Sequence, residues 1–111
     1  MAEDLLQASL NVWGAEVRVN KLQGDIKQIK LDIPNLERAN DLLEQAAKLY
    51  SEVSGMESIS DTLFQCLDES KQTLEELKHE SDILKDELKQ AEKNWVMAEQ
   101  DLIHAQDKVD V

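Results

Sequence analysis

The chain has 111 residues, of which 24 are acidic and 12 are basic, so its formal charge is −12. Charged residues make up 32% of the chain and aromatic residues only 4%, and it contains three Gly and one Pro. This composition is typical of long helices and coiled coils and excludes a β-sandwich, which needs turn residues about every 8–12 positions. The negative charge disfavours direct binding to nucleic acid or to anionic membranes, because phosphate groups would be repelled.

The N-terminal segment and the cysteine content indicate an intracellular protein. Residues 1–10 contain two acids and no basic segment followed by an apolar run, which is not the pattern of a signal peptide. No stretch approaches about 18 consecutive apolar residues, so we expect no insertion into a membrane. Cys66 is the only cysteine and has no partner for an internal disulfide, which fits a reducing compartment such as the cytoplasm.

The first half of the chain carries a heptad repeat. With Leu5 at position a, thirteen of the fourteen a and d positions up to Tyr50 are apolar or aromatic, and Asn40 is the exception. This regularity predicts a coiled-coil helix over about residues 3–53. Pro34 lies inside the pattern. Because proline lacks an N–H and clashes with the carbonyl four residues back, it predicts a kink, or a short break after which the helix restarts.

A turn is predicted over residues 54–58. Gly55 can adopt the left-handed conformation that ends a helix, and Ser58 with Asp61 resembles the capping box that starts one. A second heptad repeat, free of Gly and Pro, follows the turn and predicts a second helix over about residues 58–109.

Two arms of similar length joined by a short turn predict an antiparallel two-helix coiled-coil hairpin. The fold class is then all-α, with residues 1–111 in a single helical domain. When the chain is folded about Gly55, large seam residues of the open half face small ones, as Trp95 faces Ala15. The alternative is a three-helix bundle broken near Pro34.

The same register predicts particular contacts nearer the turn. Asn40 faces Ser70, so that the polar seam residues meet each other and set the register, and Tyr50 faces Ser60. On the flank, the predicted ion pairs join Glu37 and Glu44 to Lys71 and Lys78, and Asp25 lies beside Glu87 as a repulsive neighbour.

Few groups in the sequence are suited to catalysis. Glu76 and His79 have the Glu-x-x-His spacing of di-iron bundles, but their heptad positions point outward, so we expect them to be solvated. Cys66 lies at a flanking position with no His nearby on the same arm, and three scattered glycines do not form a phosphate-binding loop. We therefore expect no catalytic, cofactor-binding or metal-binding residue, and no enzymatic activity.

A second apolar stripe lies off the seam of the first arm. Leu6, Leu10, Trp13 and Val17 are spaced 4, 3 and 4 residues apart and therefore share the outer face of a helix. At the same open end, the second arm places three further apolar residues outside its seam: Val96, Met97 and Ile103. Apolar area left in water costs about 25 cal/mol per Å². We expect these seven residues to form a protein–protein interface, through self-association into a helical bundle or docking on helical subunits of a complex.

Two functions follow from these features. The first is a structural or adaptor subunit that assembles through its open end, where the apolar stripe lies. At the turn end only Met56 and Phe64 are expected to be exposed.

The second function rests on charge, because residues 57–111 carry 15 acids and 6 bases, against 9 acids and 6 bases in residues 1–56. An acidic strip on the second arm would let the protein act as an inhibitor that mimics nucleic-acid charge and binds a basic partner. The strip consists of Asp68, Glu69, Glu75, Glu76, Asp82 and Asp86.

Overall fold

The computed structural model describes residues 2–110 and consists of two helices. Helix α1 spans Ala2–Ser51, with 50 residues, and helix α2 spans Glu57–Asp110, with 54 residues. No strand occurs within residues 2–110. The all-α helical hairpin predicted from the two heptad repeats is therefore confirmed.

Helix α1 passes through Pro34 without a break. Proline offers no N–H, so the Lys30 carbonyl lacks its usual intrahelical donor. Both residues are exposed, which leaves that carbonyl accessible to water. The helix neither ends nor restarts at Pro34, and the three-helix bundle is therefore wrong.

The connection between the helices occupies residues 52–56, slightly earlier than the predicted turn. Gly55 has a φ of 84°, in the left-handed region that side chains with a Cβ rarely adopt. The Val53 N–H donates to the Tyr50 carbonyl and the Met56 N–H to the Val53 carbonyl, each at 3.2 Å. These bonds satisfy backbone groups that the helix ends would otherwise leave unpaired.

The predicted capping box of Ser58 and Asp61 is wrong. Helix α2 begins at Glu57, so Ser58 already lies inside its first turn, where its carbonyl accepts a hydrogen bond from the Thr62 hydroxyl at 2.9 Å. The Glu57 carboxylate instead accepts a 3.4 Å hydrogen bond from the Gly55 N–H. An acid at this position also complements the positive end of the helix dipole.

The chain divides into two compact units. The open-end unit combines the α1 segment up to Lys27 with the α2 segment from Ile83, and the turn-end unit comprises Gln28–Asp82. Each unit has its own part of the seam, as described below.

The seam of the open-end unit follows the predicted layers. Val19 and Leu22 of α1 are buried with Ala91 of α2, and three partly buried residues pack against them: Leu84, Leu88 and Trp95. Folding the chain about Gly55 makes Val19 face Ala91 and Leu22 face Leu88. A large side chain meets a smaller one in the first of these layers, as close packing requires.

The turn-end unit confirms the register at its polar layer. The Ser70 hydroxyl donates to the side-chain oxygen of Asn40, the pair expected to meet. The prediction for Tyr50 is wrong, because Tyr50 is 42% exposed and the Ser60 hydroxyl donates at 2.9 Å to the carbonyl of Ala47 instead. Tyr50 belongs to the last turn of α1, where the seam ends and its phenol oxygen can stay in water.

The ion pairs differ from the predicted ones. Glu87 binds Arg18 across the seam at 3.6 Å, and this favourable pair offsets the repulsion expected from Asp25. Glu44 binds Lys48 one turn away on its own helix at 3.3 Å, rather than a lysine of α2. These side chains are well exposed, and such pairs contribute about 0–1 kcal/mol each.

Candidate protein interface

The apolar face predicted on the first arm is exposed. Its members, which we call the open-end stripe, are exposed by 62% (Leu6), 51% (Leu10), 65% (Trp13) and 48% (Val17). The stripe is exposed because the heptad directs other α1 residues, such as Ala8 and Val19, toward α2. In consequence α1 has apolar residues on two opposite faces in this unit, and α2 covers only one of them.

The apolar residues of α2 at the same end are also exposed: Val96 by 54%, Met97 by 61% and Ile103 by 54%. Val96 and Ile103 share heptad position b with Leu6 and Trp13, and in an antiparallel pair the b sides of both helices lie on the same flank. Met97 occupies the next heptad position, c, which faces more toward the other flank of α2. The register thus places Val96 and Ile103 on the flank of the open-end stripe, and Met97 lies beside Val96 on the outer surface of α2.

The seam groove at the open end is lined by polar and apolar surface in about equal measure. Its volume is about 370 Å³, and its lining includes Asp4, Asn11, Asp101, His104 and Lys108. The large exposed apolar side chains of this unit, such as Trp13 and Met97, lie on its outer surface. This arrangement suits contact with another apolar surface better than enclosure of a small molecule.

The groups considered for chemistry lie on the surface. Glu76 and His79 are both exposed on α2, as their outward heptad positions predict. Cys66 is a free, exposed thiol. Within residues 2–110 no group of three or more His, Cys, Asp or Glu side chains is arranged to hold a metal ion. Neither described helix has a segment long and apolar enough to cross a membrane.

A second exposed apolar stripe, near the turn, was missed by the sequence prediction. It consists of Leu42 (57% exposed), Ala46 (half-buried), Leu49 (65% exposed) and Val53 (49% exposed), and we call it the turn-end stripe. Its spacing of 4, 3 and 4 residues repeats that of the open-end stripe. Met56 and Phe64 are exposed as expected, but Tyr50 and Ile59 are exposed with them. The expectation of a turn end with few exposed apolar residues is therefore wrong.

The spacing of the turn-end stripe was visible in the sequence. Leu42 and Leu49 occupy heptad position c, and Ala46 and Val53 occupy position g, so the stripe lies next to the seam pattern and merges with it in a simple count of apolar residues. A search of the sequence for apolar residues spaced 4, 3 and 4 apart outside positions a and d would have found this stripe.

Comparison with known proteins gives no relative for this chain. No protein-family model, no curated protein and no solved structure matches it.

Proposed function

We propose that this protein is a non-enzymatic coiled-coil subunit, a scaffold or adaptor, that assembles with other proteins through the open-end stripe. The observation that carries the proposal is the exposure of Trp13, which is 65% accessible at the centre of four apolar residues on one helix face. Tryptophan is among the residues that contribute most to binding energy in protein interfaces. The seam on the opposite face of α1 is already filled by α2, so this stripe needs a partner from another chain.

The partner proposed is a helical surface with an apolar face. It is either a second copy, which would form a helical bundle, or a helical subunit of a complex. Direct binding of nucleic acid is not part of the proposal, because the chain carries a net charge of −12. Membrane insertion is not part of it either. The free thiol of Cys66 supports an intracellular, reducing location, for which we propose the cytoplasm.

The double variant Trp13→Ser, Val17→Ser tests the proposal. Neither residue is at a seam position, so helicity measured by circular dichroism should stay within a few per cent of the wild type. The mass measured by sedimentation equilibrium should fall to that of one chain. If the wild-type chain is itself monomeric, capture of the native partner should instead be lost. Ile83→Ser is the matched surface control, because Ile83 is 43% exposed in the same unit but lies outside the stripe.

Trp95→Ala provides the opposite control. Trp95 packs against the buried core of the open-end unit and is half-buried, so its truncation should lower the free energy of unfolding by about 2–3 kcal/mol. The two tryptophans thereby separate assembly from folding. If Trp13→Ser unfolds the chain as severely as Trp95→Ala does, Trp13 belongs to the core and the interface proposal fails.

A second candidate function rests on charge. The turn-end unit, Gln28–Asp82, carries 13 acids and 5 bases, and it contains five of the six residues of the acidic strip, all of them exposed. This distribution supports an acidic inhibitor that occupies a nucleic-acid-binding groove of a basic partner. Binding of that kind weakens steeply as salt is raised, whereas apolar docking through the open-end stripe does not.

A further inference from the structure

The spacing of the open-end stripe fits a second copy of the same stripe. Its residues follow each other at intervals of 4, 3 and 4, a series that is symmetric about its midpoint at residues 11–12. Two α1 helices that pack antiparallel about a two-fold axis at this midpoint bring together residues that lie equally far from it on either side. Leu10 then faces Trp13 of the other copy. Leu6 faces Val17 in the same way, so every side chain of the stripe gains an apolar partner.

The area of such a contact is of the size that a stable dimer needs. The four side chains of the stripe are between 48% and 65% exposed. Two copies together present roughly 900 Å² of apolar side chain, a large part of the about 1,200–2,000 Å² that a specific interface buries in total. Polar residues next to the stripe, namely Gln7, Ser9 and Asn20, are exposed and add to the contact. The seam on the opposite face of α1 stays filled by α2, so the hairpin needs no rearrangement.

The face around the stripe carries opposite charges at its two ends. Between residues 3 and 21, three charged residues occupy the b, c, e and f positions of this face, and all are exposed: Glu3, Glu16 and Lys21. In the antiparallel pair, Glu3 of each copy lies beside Lys21 of the other, so that two attractive ion pairs form. Glu16 lies opposite Ser9 of the other copy and not opposite a second acid.

The same charges disfavour a parallel pair. A parallel arrangement in register places Glu3 against Glu3 and Lys21 against Lys21, and like charges in contact weaken association. A helix of another protein would have to present its own base and acid at these two ends. A second copy presents both by symmetry, because each residue contacts its counterpart in both directions across a two-fold axis.

We propose that the partner of the open-end stripe is a second copy of this chain, packed antiparallel about a two-fold axis at residues 11–12, with Glu3 and Lys21 paired between the copies. Because the site is the open-end stripe, the proposal rests on the function proposed above and adds the partner and its orientation. The two copies use the same surface, so the interface closes as a dimer and does not continue into a filament.

The full chain tests the proposal by sedimentation equilibrium, where its mass should be that of two chains. Lys21→Glu should raise the dissociation constant of the dimer about fivefold, since it replaces two attractive pairs by two repulsive ones. Glu3→Lys should act in the same direction. The double variant Glu3→Lys, Lys21→Glu restores opposite charges across the two-fold axis and should return the constant to within about twofold of the wild type. Circular dichroism checks that each variant folds.

Lys27→Glu is the matched control. Lys27 is exposed in the same unit and at position b, like Leu6 and Trp13, and its replacement changes the net charge by the same amount as Lys21→Glu. It lies beyond the segment over which the two copies overlap, so it faces no residue of the other α1. The dissociation constant should therefore change less than about twofold.

A carbodiimide cross-link between Glu3 and Lys21 tests the orientation independently. The two residues are about 27 Å apart along α1 of one chain, so an amide bond between their side chains joins two copies. We expect mass spectrometry of the covalent dimer to identify this bond. It should be lost in the variant Trp13→Ser, Val17→Ser, which removes the apolar contact.

Three outcomes would overturn the proposal, and they separate it from the function on which it rests. A wild-type chain that stays monomeric at about 0.1 mM would exclude the second copy. The function proposed above would still stand if Trp13→Ser, Val17→Ser abolished capture of another protein. A dimer weakened equally by Lys21→Glu and Lys27→Glu, without the Glu3–Lys21 cross-link, would exclude the antiparallel orientation. A dimer that Trp13→Ser, Val17→Ser leaves intact would overturn both, because the stripe would not be the interface.

Discussion

At the residue scale, the polar layer of Asn40 and Ser70 specifies the register of the turn-end unit. Asn40 is only 6% exposed, and its oxygen accepts a hydrogen bond from the Ser70 hydroxyl. Its amide nitrogen is buried and has no hydrogen-bond partner among the described residues. A half-satisfied amide in an apolar seam lowers stability, but any slip of the helices would leave the oxygen unpaired as well. The layer therefore disfavours alternative registers.

Removal of one partner should cost more than removal of both. Ser70→Ala leaves the whole Asn40 amide buried without a partner, so the free energy of unfolding in urea should fall by about 1–3 kcal/mol. The double variant Asn40→Leu, Ser70→Ala replaces both polar groups and should be close to the wild type or more stable. If the double variant loses more stability than Ser70→Ala, then the buried polar groups of this layer do not lower stability, and the explanation is wrong.

Replacing Gly55 and Gly24 by alanine should change the free energy of unfolding in opposite directions. Gly55 has a φ of 84°, so Gly55→Ala should lower the free energy of unfolding by about 1–2 kcal/mol through the backbone, since a Cβ there would meet no atom within 4 Å. Gly24 lies inside α1, also with nothing within 4 Å of a Cβ, so Gly24→Ala should raise the free energy of unfolding by about 0.5–1 kcal/mol. Thermal or urea unfolding of the two variants measures both changes. A change of the same sign in both would contradict this conformational explanation.

At the element scale, α1 and α2 differ in how their apolar residues are distributed. Helix α1 carries the open-end stripe and, together with Val53 of the connection, the turn-end stripe, whereas the exposed apolar residues of α2, such as Ile83 and Met97, do not form a 4-3-4 series. Helix α1 therefore carries most of the face proposed to bind other chains, and α2 closes its seam. The net charge of −9 in residues 57–111 keeps the remaining surface of α2 solvated.

Pro34 is the feature of α1 that lowers helix stability most directly. It is exposed and inside the helix, where proline costs about 3 kcal/mol relative to alanine. Proline also restricts the unfolded chain, which offsets about 0.5–1 kcal/mol of that cost. We expect Pro34→Ala to raise the free energy of unfolding by about 2 kcal/mol, measured in urea.

Asn35→Ala is the control, since Asn35 is the exposed neighbour, and the gain should be only about 0.5 kcal/mol from helix propensity. If the free energy of unfolding rises equally in the two variants, then the missing N–H of Pro34 does not itself lower the stability of α1.

At the scale of the whole molecule, the charge is unequal between the two units. The turn-end unit has a net charge of −8 and the open-end unit a net charge of −4, and seven of the 12 basic residues belong to the open-end unit. Repulsion between copies is therefore weaker at the open end than at the turn end. This distribution agrees with apolar association proposed for the open end and with a basic partner proposed for the turn end.

Salt should affect the two proposed interactions in opposite ways. Raising the ionic strength from about 0.1 M to 1 M shortens the Debye length from about 10 Å to about 3 Å. Assembly through the open-end stripe should be maintained or strengthened, because repulsion between acidic chains is screened, while binding of the acidic strip to a basic partner should weaken steeply.

Sedimentation at both salt concentrations measures the assembled mass. Trp13→Ser should remain a monomer at both concentrations. An assembled mass that falls steeply with salt would contradict apolar docking and favour charge mimicry.

The sequence by itself determined the hairpin, its register and the open-end stripe. The heptad repeat predicts which side of each helix is apolar. The single glycine between the two repeats predicts where the chain reverses. Once the apolar side and the position of the turn are known, facing pairs such as Asn40 with Ser70 can be predicted, because the turn fixes which seam positions lie opposite each other. Leu6, Leu10, Trp13 and Val17 could be assigned to the surface because they lie opposite that seam.

The tertiary structure alone decided what happens where the periodic pattern ends. It placed the start of α2 at Glu57, left Tyr50 exposed and gave the Ser60 hydroxyl the Ala47 carbonyl as its acceptor. It also showed that Leu42 and Leu49 stay uncovered near the turn. These outcomes depend on how the last turns of two helices converge on a short connection, where hydrogen-bond geometry and packing distances determine burial and heptad position does not.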